Sequence, residues 1–183
     1  MRGPLSETEF AVLRQTIGRR GTTRMALLPV AILGWATLAL VLLLFSDLPA
    51  AALYPLGMLA AGFEAIHALH VGAERIGRYL QVRYETEPNG PRWETTAMAV
   101  GPALPGGGID PLFSVIFVAA ALANMILVLL PQPTTLELSV IGVLHALFLV
   151  RVVRARGAAA RQRAVELESF RALLAREHDH PIA

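Results

Sequence analysis

Residues 111–153 read PLFSVIFVAAALANMILVLLPQPTTLELSVIGVLHALFLVRVV. One apolar run ends at Pro131-Gln132-Pro133-Thr134-Thr135, and a second begins directly after it. Each is close to the ~20 residues that a helix needs to cross a hydrocarbon core of roughly 30 Å. The short turn makes the two helices antiparallel neighbours. They are read as membrane spans over 111–130 and 136–153.

Two more such runs lie upstream. Residues 25–45 read MALLPVAILGWATLALVLLLF, and Ser46-Asp47-Leu48-Pro49 separates them from a second run over 50–72. The first is too long for the 7–15-residue apolar core of a secretory signal and has a long segment before it. Four spans cut the chain into five pieces. All sixteen basic residues are arginines; Arg151 stands near the end of the fourth span, and the rest fall in the first, third and fifth pieces. Cationic loops stay in the cytoplasm, so both termini are expected there. The expected fold is an all-α integral membrane protein: four transmembrane helices in an up-down bundle, N-in and C-in, with amphipathic cytoplasmic helices at both termini. Its organisation is a cytoplasmic segment over 1–24, a transmembrane domain over 25–153 with a cytoplasmic loop over 73–110, and a cytoplasmic helix and tail over 154–183. The setting this implies is a bacterial cytoplasmic (inner) membrane, and the complete absence of Lys beside abundant Ala and Arg fits such a genome.

Composition supports the class. The chain of 183 residues is 55% hydrophobic and 16% charged, with mean hydropathy +0.54. Soluble domains carry about 25% charged residues. What remains outside the spans is too little and too scattered for a separate soluble catalytic domain. The net charge is only +2 and the arginines are dispersed, so nucleic acid is not an expected partner. Zero cysteines exclude disulfides, thiolate catalysis, iron–sulfur clusters and Cys-type zinc sites.

The flanks are amphipathic. Phe10, Leu13 and Ile17 recur at helical spacing over 5–18, and Ser6 with Glu9 has capping-box spacing. Val165, Leu167, Phe170, Leu173 and Leu174 do the same over 155–177. The second span is expected to continue as a helix to Tyr84, because no Gly-Pro break appears before Pro88. Residues 88–111 are rich in Gly and Pro and read as a linker. Their glycine triplet lacks the Lys-Ser/Thr of a phosphate loop. Glu85 and Glu87, before the turn at Pro88, read as solvated helix-end charges.

The second span carries the chemistry. Glu64, His67, His70 and Glu74 occupy about a third of the helical circumference at ~100° per residue. An ionised carboxylate in a span must be paired, protonated or wetted. His145 in the fourth span lies at comparable depth if Arg151 and Arg75 mark one membrane plane. Glu64, His67, His70 and His145 would then share one layer, and Asn124 would bond between helices closer to the outer side.

Three functions fit this row. It could form a proton or cation path through Glu64, His67, His70, Glu74 and His145. It could bind a divalent transition metal, since Glu64 and His67 have the i, i+3 spacing of carboxylate di-iron bundles. Or His67 or His70 could pair with His145 across a haem b. Against these stands a structural role in which Glu64 pairs with a histidine. Gly57, Ala61 and Ala65, spaced four apart, and Ala119 with Ala123 permit close helix approach within one bundle or between copies. No nucleophile elbow or His-Glu-x-x-His is present, so no catalytic residue is assigned. The expectation is a small membrane protein embedded in the lipid bilayer, a homo-oligomer or a subunit beside other membrane proteins, with ion conduction through Glu64 as its leading chemistry. A haem- or metal-binding redox subunit and a purely structural accessory protein are the alternatives.

Overall fold

The computed structural model describes residues 4–85, 92–100 and 111–179, and among them every regular element is helical. Helix α1 spans Pro4–Phe45, and a 3-10 turn at Pro49–Ala52 leads into α2, Leu53–Tyr84. Helix α3 spans Trp93–Val100, α4 spans Pro111–Leu129 and α5 spans Thr135–Asp179. Helices in Glu7–Phe45, Pro49–Tyr84 and Thr135–Ala155 are long and apolar enough to cross a membrane, and Phe113–Leu129 is a shorter apolar helix.

Three differences from the sequence reading stand out. The amphipathic segment 5–18 and the first span form one unbroken helix of 42 residues. The fourth span and the segment 155–177 likewise form one helix of 45 residues. A change of face pattern marks a change of surroundings, and it does not by itself break the backbone ladder. The third difference is α3, a helix inside the segment read as a linker. Glu85 is 7% exposed rather than solvated, and its carboxylate accepts from the Glu94 and Thr95 backbone N–H groups at 2.7 and 2.6 Å. It thereby satisfies orphan donors at the start of α3. The stretches 86–91 and 101–110, with their Pro88-Asn89-Gly90-Pro91 and Gly106-Gly107-Gly108 motifs, lie outside the described residues, as do the Ser6 side chain and the His178-Asp179-His180 side chains.

The chain forms two compact units. The apolar unit comprises Arg24–Ala68 and Asp110–Arg156. Its buried positions recur at three- and four-residue spacing, the signature of helices packing along a seam. They include Leu56, Leu59, Phe63 and Ile66 on α2, Phe117, Ala121, Asn124 and Val128 on α4, and Ile141, His145, Phe148 and Val152 on α5. Phe63 stands at the centre, with ring centroids 5.4 Å from Phe117 and 6.2 Å from Phe148 in edge-on geometry. Such pairs contribute about 0.5–1.5 kcal/mol each beyond their area. Helix α1 joins through Ala31, its only buried side chain in this unit. A Cβ added at Gly62 would stand 2.6 Å from the Ala31 Cβ, so α1 and α2 meet there almost backbone to backbone.

The turn before α5 is built locally. Gln132 takes φ 56°, and Thr134 and Glu137 form a reciprocal capping box. The Thr134 N–H donates to the Glu137 carboxylate at 2.9 Å, and the Glu137 N–H donates to the Thr134 hydroxyl at 3.3 Å.

The charged unit comprises Met1–Thr23, Leu69–Ile109 and Gly157–Ala183. Leu80, Val82 and Tyr84 are buried in it, and so is Arg78, at 4% exposure. Tyr79 and Tyr84 both donate to the Glu9 carboxylate, at 2.9 and 2.6 Å. The Tyr79 ring also lies edge-on to Phe170 at 5.6 Å. These contacts tie α1, α2 and α5 within the unit.

Candidate functional site

Asn124 is fully buried on α4, where an unpaired amide would be costly. Its environment supplies every partner. Trp35 Nε1–H donates to Oδ1 at 3.2 Å, and Nδ2 lies 2.9 Å from the Ala52 carbonyl and 3.1 Å from His145 Nε2. Because an indole N–H can only donate, the atom facing Trp35 is the oxygen. His145 Nδ1 sits 2.9 Å from the Ile141 carbonyl, which can only accept. Nδ1 therefore carries the proton, and Nε2 accepts from Asn124. Both imidazole nitrogens are spent on protein partners, and the ring is the neutral tautomer. Four segments meet at this knot: α1, the 3-10 turn, α4 and α5.

Glu64 has a different partner. Arg151 Nη2 donates to its Oε2 at 2.7 Å, with the two side chains 42% and 50% exposed for Arg151 and Glu64. The Arg151 guanidinium also lies over the Phe63 ring, 5.7 Å from its centroid. Glu64 is therefore paired, as a carboxylate in a span must be. Its partner is an arginine rather than one of the histidines. Arg151 thus lies within one side chain's reach of Glu64. His67 stacks on Phe63 at 5.8 Å, one turn along α2 from the aromatic centre. His145 precedes Phe148 and is bonded toward the Ala52 turn. Within the apolar unit, then, His67 and His145 sit on opposite sides of the Phe63–Phe148 level, and the shared layer of Glu64, His67 and His145 does not form.

The sequence matches no protein-family model, no curated protein and no solved structure. Function therefore rests on the chemistry of these side chains. The cavity of about 160 Å³ in the apolar unit is lined by Leu42, Ser46, Asp47, Leu48, Ala52 and Pro131 among others, and Glu64 does not line it. Among the described residues no group of three or more His, Cys, Asp or Glu is arranged to hold a metal. A metal or haem iron at His145 would have to displace the Asn124 bond.

The remaining members of the row belong to the charged unit. His70 Nε2 lies 3.6 Å from Glu74 Oε1. Glu74 also accepts from Arg78 at 3.2 Å and from Arg163 at 3.1 Å. Glu166 accepts from Arg75 and Arg78, both at 2.9 Å, and from Gln162 at 2.8 Å. Burial pushes the Glu166 carboxyl up, but the Arg75 and Gln162 hydrogen bonds and the Arg78 and Arg75 charges outweigh it and hold it below the ordinary value. Glu94 behaves oppositely. Its burial raises the carboxyl above the ordinary value, against the Arg14 guanidinium at 2.8 Å. Glu74 is thus part of an arginine-rich ion-pair network, with buried Arg78 at its centre.

The sequence reading missed Arg151 and Trp35. In the sequence Arg151 reads as a topological marker, although an acidic and a basic residue in two neighbouring apolar segments is itself a pairing signal. Trp35 carried no such signal, because its partner depends on how α1 rotates against α4.

Proposed function

We propose that this protein is an integral membrane subunit that works by associating with other membrane protein, in a bacterial inner membrane with both termini cytoplasmic. One observation supports this reading above the others: the Glu64–Arg151 pair is half-exposed on helices apolar enough to cross a membrane. Charge on a lipid-facing surface is expensive, whereas the same charge against protein, with its hydrogen bonds completed, is tolerated. The arginine distribution supports the orientation. Assembly is favoured over proton relay because Glu64 is held by a guanidinium, a side-chain type that serves as a fixed charge. A carboxylate locked to it is a poor station for moving protons. Redox chemistry is disfavoured by the full commitment of His145 to Asn124 and Ile141.

The test is the native mass of the protein extracted in lipid nanodiscs without strong detergent. A particle containing more protein than one 19.7 kDa chain is expected. A single chain alone in its disc would overturn the proposal.

A further inference from the structure

The outward residues of α2 in the apolar unit are Tyr54, Gly57, Ala61, Glu64, Ala65 and Ala68. Positions 54, 57, 61, 64 and 68 follow a 3-4-3-4 spacing, the repeat of a helix seam that meets another helix. The exposed residues of α5 include Ser139, Ala146 and Arg151, but its large apolar ones, Val140, Val143, Leu144, Leu147, Val150 and Val153, are all bulky. Those of α1 include Val30, Leu33, Leu40, Val41, Leu43 and Leu44. Bulky aliphatic side chains suit lipid tails. Gly and Ala suit a second backbone, because they let helices approach closely. Gly57 has open space beside it, since a Cβ added there meets nothing within 4 Å. In the middle of this small-residue seam stands the ion pair.

We propose that the Tyr54–Ala68 seam of α2 is the interface with a second copy of this chain, in a parallel two-fold dimer whose centre is a shared Glu64–Arg151 cluster. This rests on the membrane-assembly reading and names the partner. The argument is charge complementarity. A two-fold axis brings each residue of a central seam to its own counterpart. Chains inserted in the same direction place that axis along the membrane normal, so Glu64 meets the partner's Glu64. Alone, two carboxylates in a span would repel. Each brings Arg151, so the cluster holds two negative and two positive charges and is neutral. The pair also has capacity to spare. Among the described residues Glu64 uses Oε2 and Arg151 uses Nη2, while Glu64 Oε1 and the remaining guanidinium N–H groups make no further hydrogen bond. Exchange across the axis completes both. A surface with one sign of charge would need a different partner; this one matches itself.

The chain has no cysteine, so single-cysteine variants report one position each. Ala61→Cys and, as a control on the aliphatic face, Leu147→Cys would be oxidised in native membranes and sized under denaturing conditions. Ala61→Cys is expected to give a disulfide-linked homodimer and Leu147→Cys to remain single. Adding Gly57→Leu, whose Cβ meets nothing within 4 Å in its own chain, should lower the Ala61→Cys dimer yield about tenfold. A chain that is part of a larger particle, yet forms no self-link through Ala61→Cys or links there to a different protein, overturns the dimer and leaves the assembly reading standing. Equal self-linking at both positions also overturns it, because that is collision rather than an interface. A single chain in its nanodisc overturns both.

Discussion

The apolar unit carries polar groups in two places and treats them in opposite ways. At Asn124 the groups are neutral and matched, with the amide and imidazole buried: one indole donor, one amide, one imidazole and two carbonyls close on themselves. At Glu64 the groups are charged, half-exposed and incompletely matched. The first arrangement fastens helices of one chain to each other. The second leaves hydrogen-bonding capacity pointing outward, which is what an interface requires. Polarity on an apolar helix therefore has two meanings, and burial together with partner count separates them. A histidine count alone does not.

The largest effect should come from breaking the fastener. Asn124→Leu orphans Trp35 and His145 and should lower unfolding stability by about 2–3 kcal/mol, read by denaturant titration in mixed micelles. Glu64→Gln acts on the other side of the comparison. It keeps the shape, removes one charge, and should change monomer stability by less than about 1 kcal/mol, as half-exposed pairs do. Its effect should appear in the particle mass, which falls toward one chain. If Glu64→Gln unfolds the protein as Asn124→Leu does, the two polar sites do not differ as described.

The charged unit supplies a pH-dependent contrast. The folded-state pKa of Glu166 lies below its ordinary value of 4.5, so its stabilisation is fully present above 4.5 and is lost as pH falls through the folded value. Glu94 has a raised pKa, so its ionisation opposes folding, and its contribution declines as pH rises from 4.5 through the folded value. Amide exchange over 161–170, corrected for intrinsic rates, should accelerate on acidification below pH 4.5, and Glu166→Gln should flatten that response. Trp35→Phe acts on the fastener more gently than Asn124→Leu. It leaves the buried Asn124 Oδ1 without its donor, for about 1–2 kcal/mol, and keeps the Asn124–His145 bond in place.

How far the residues alone revealed this can be read element by element. The helical class and the apolar segments were legible because hydropathy is a property of each segment by itself. So was the continuation of α2 to Tyr84. The union of 5–18 with 25–45 was not, because the two stretches face different surroundings while sharing one backbone. Helix α3 was hidden by its Gly- and Pro-rich flanks, and its cap, Glu85, only gains meaning once α3 exists. Asn124 was legible as a bond between helices, since a buried amide in a span has few other options. Its partners were not, and neither was Arg151 for Glu64, because both depend on helix rotation and axial register. The Gly57, Ala61 and Ala65 stripe was visible in the sequence, but only the fold reveals that it faces outward.

Two glycines five residues apart on α2 give the most direct test. A Cβ added at Gly62 would stand 2.6 Å from the Ala31 Cβ, whereas one added at Gly57 meets nothing within 4 Å. Gly62→Leu and Gly57→Leu would be compared for unfolding midpoint and for particle mass in nanodiscs. The account predicts that Gly62→Leu lowers the midpoint by overpacking, by about 1–3 kcal/mol, and that Gly57→Leu leaves the midpoint unchanged while reducing the particle to one chain. A Gly57→Leu protein that loses stability as Gly62→Leu does, or that keeps its full particle mass, would contradict it.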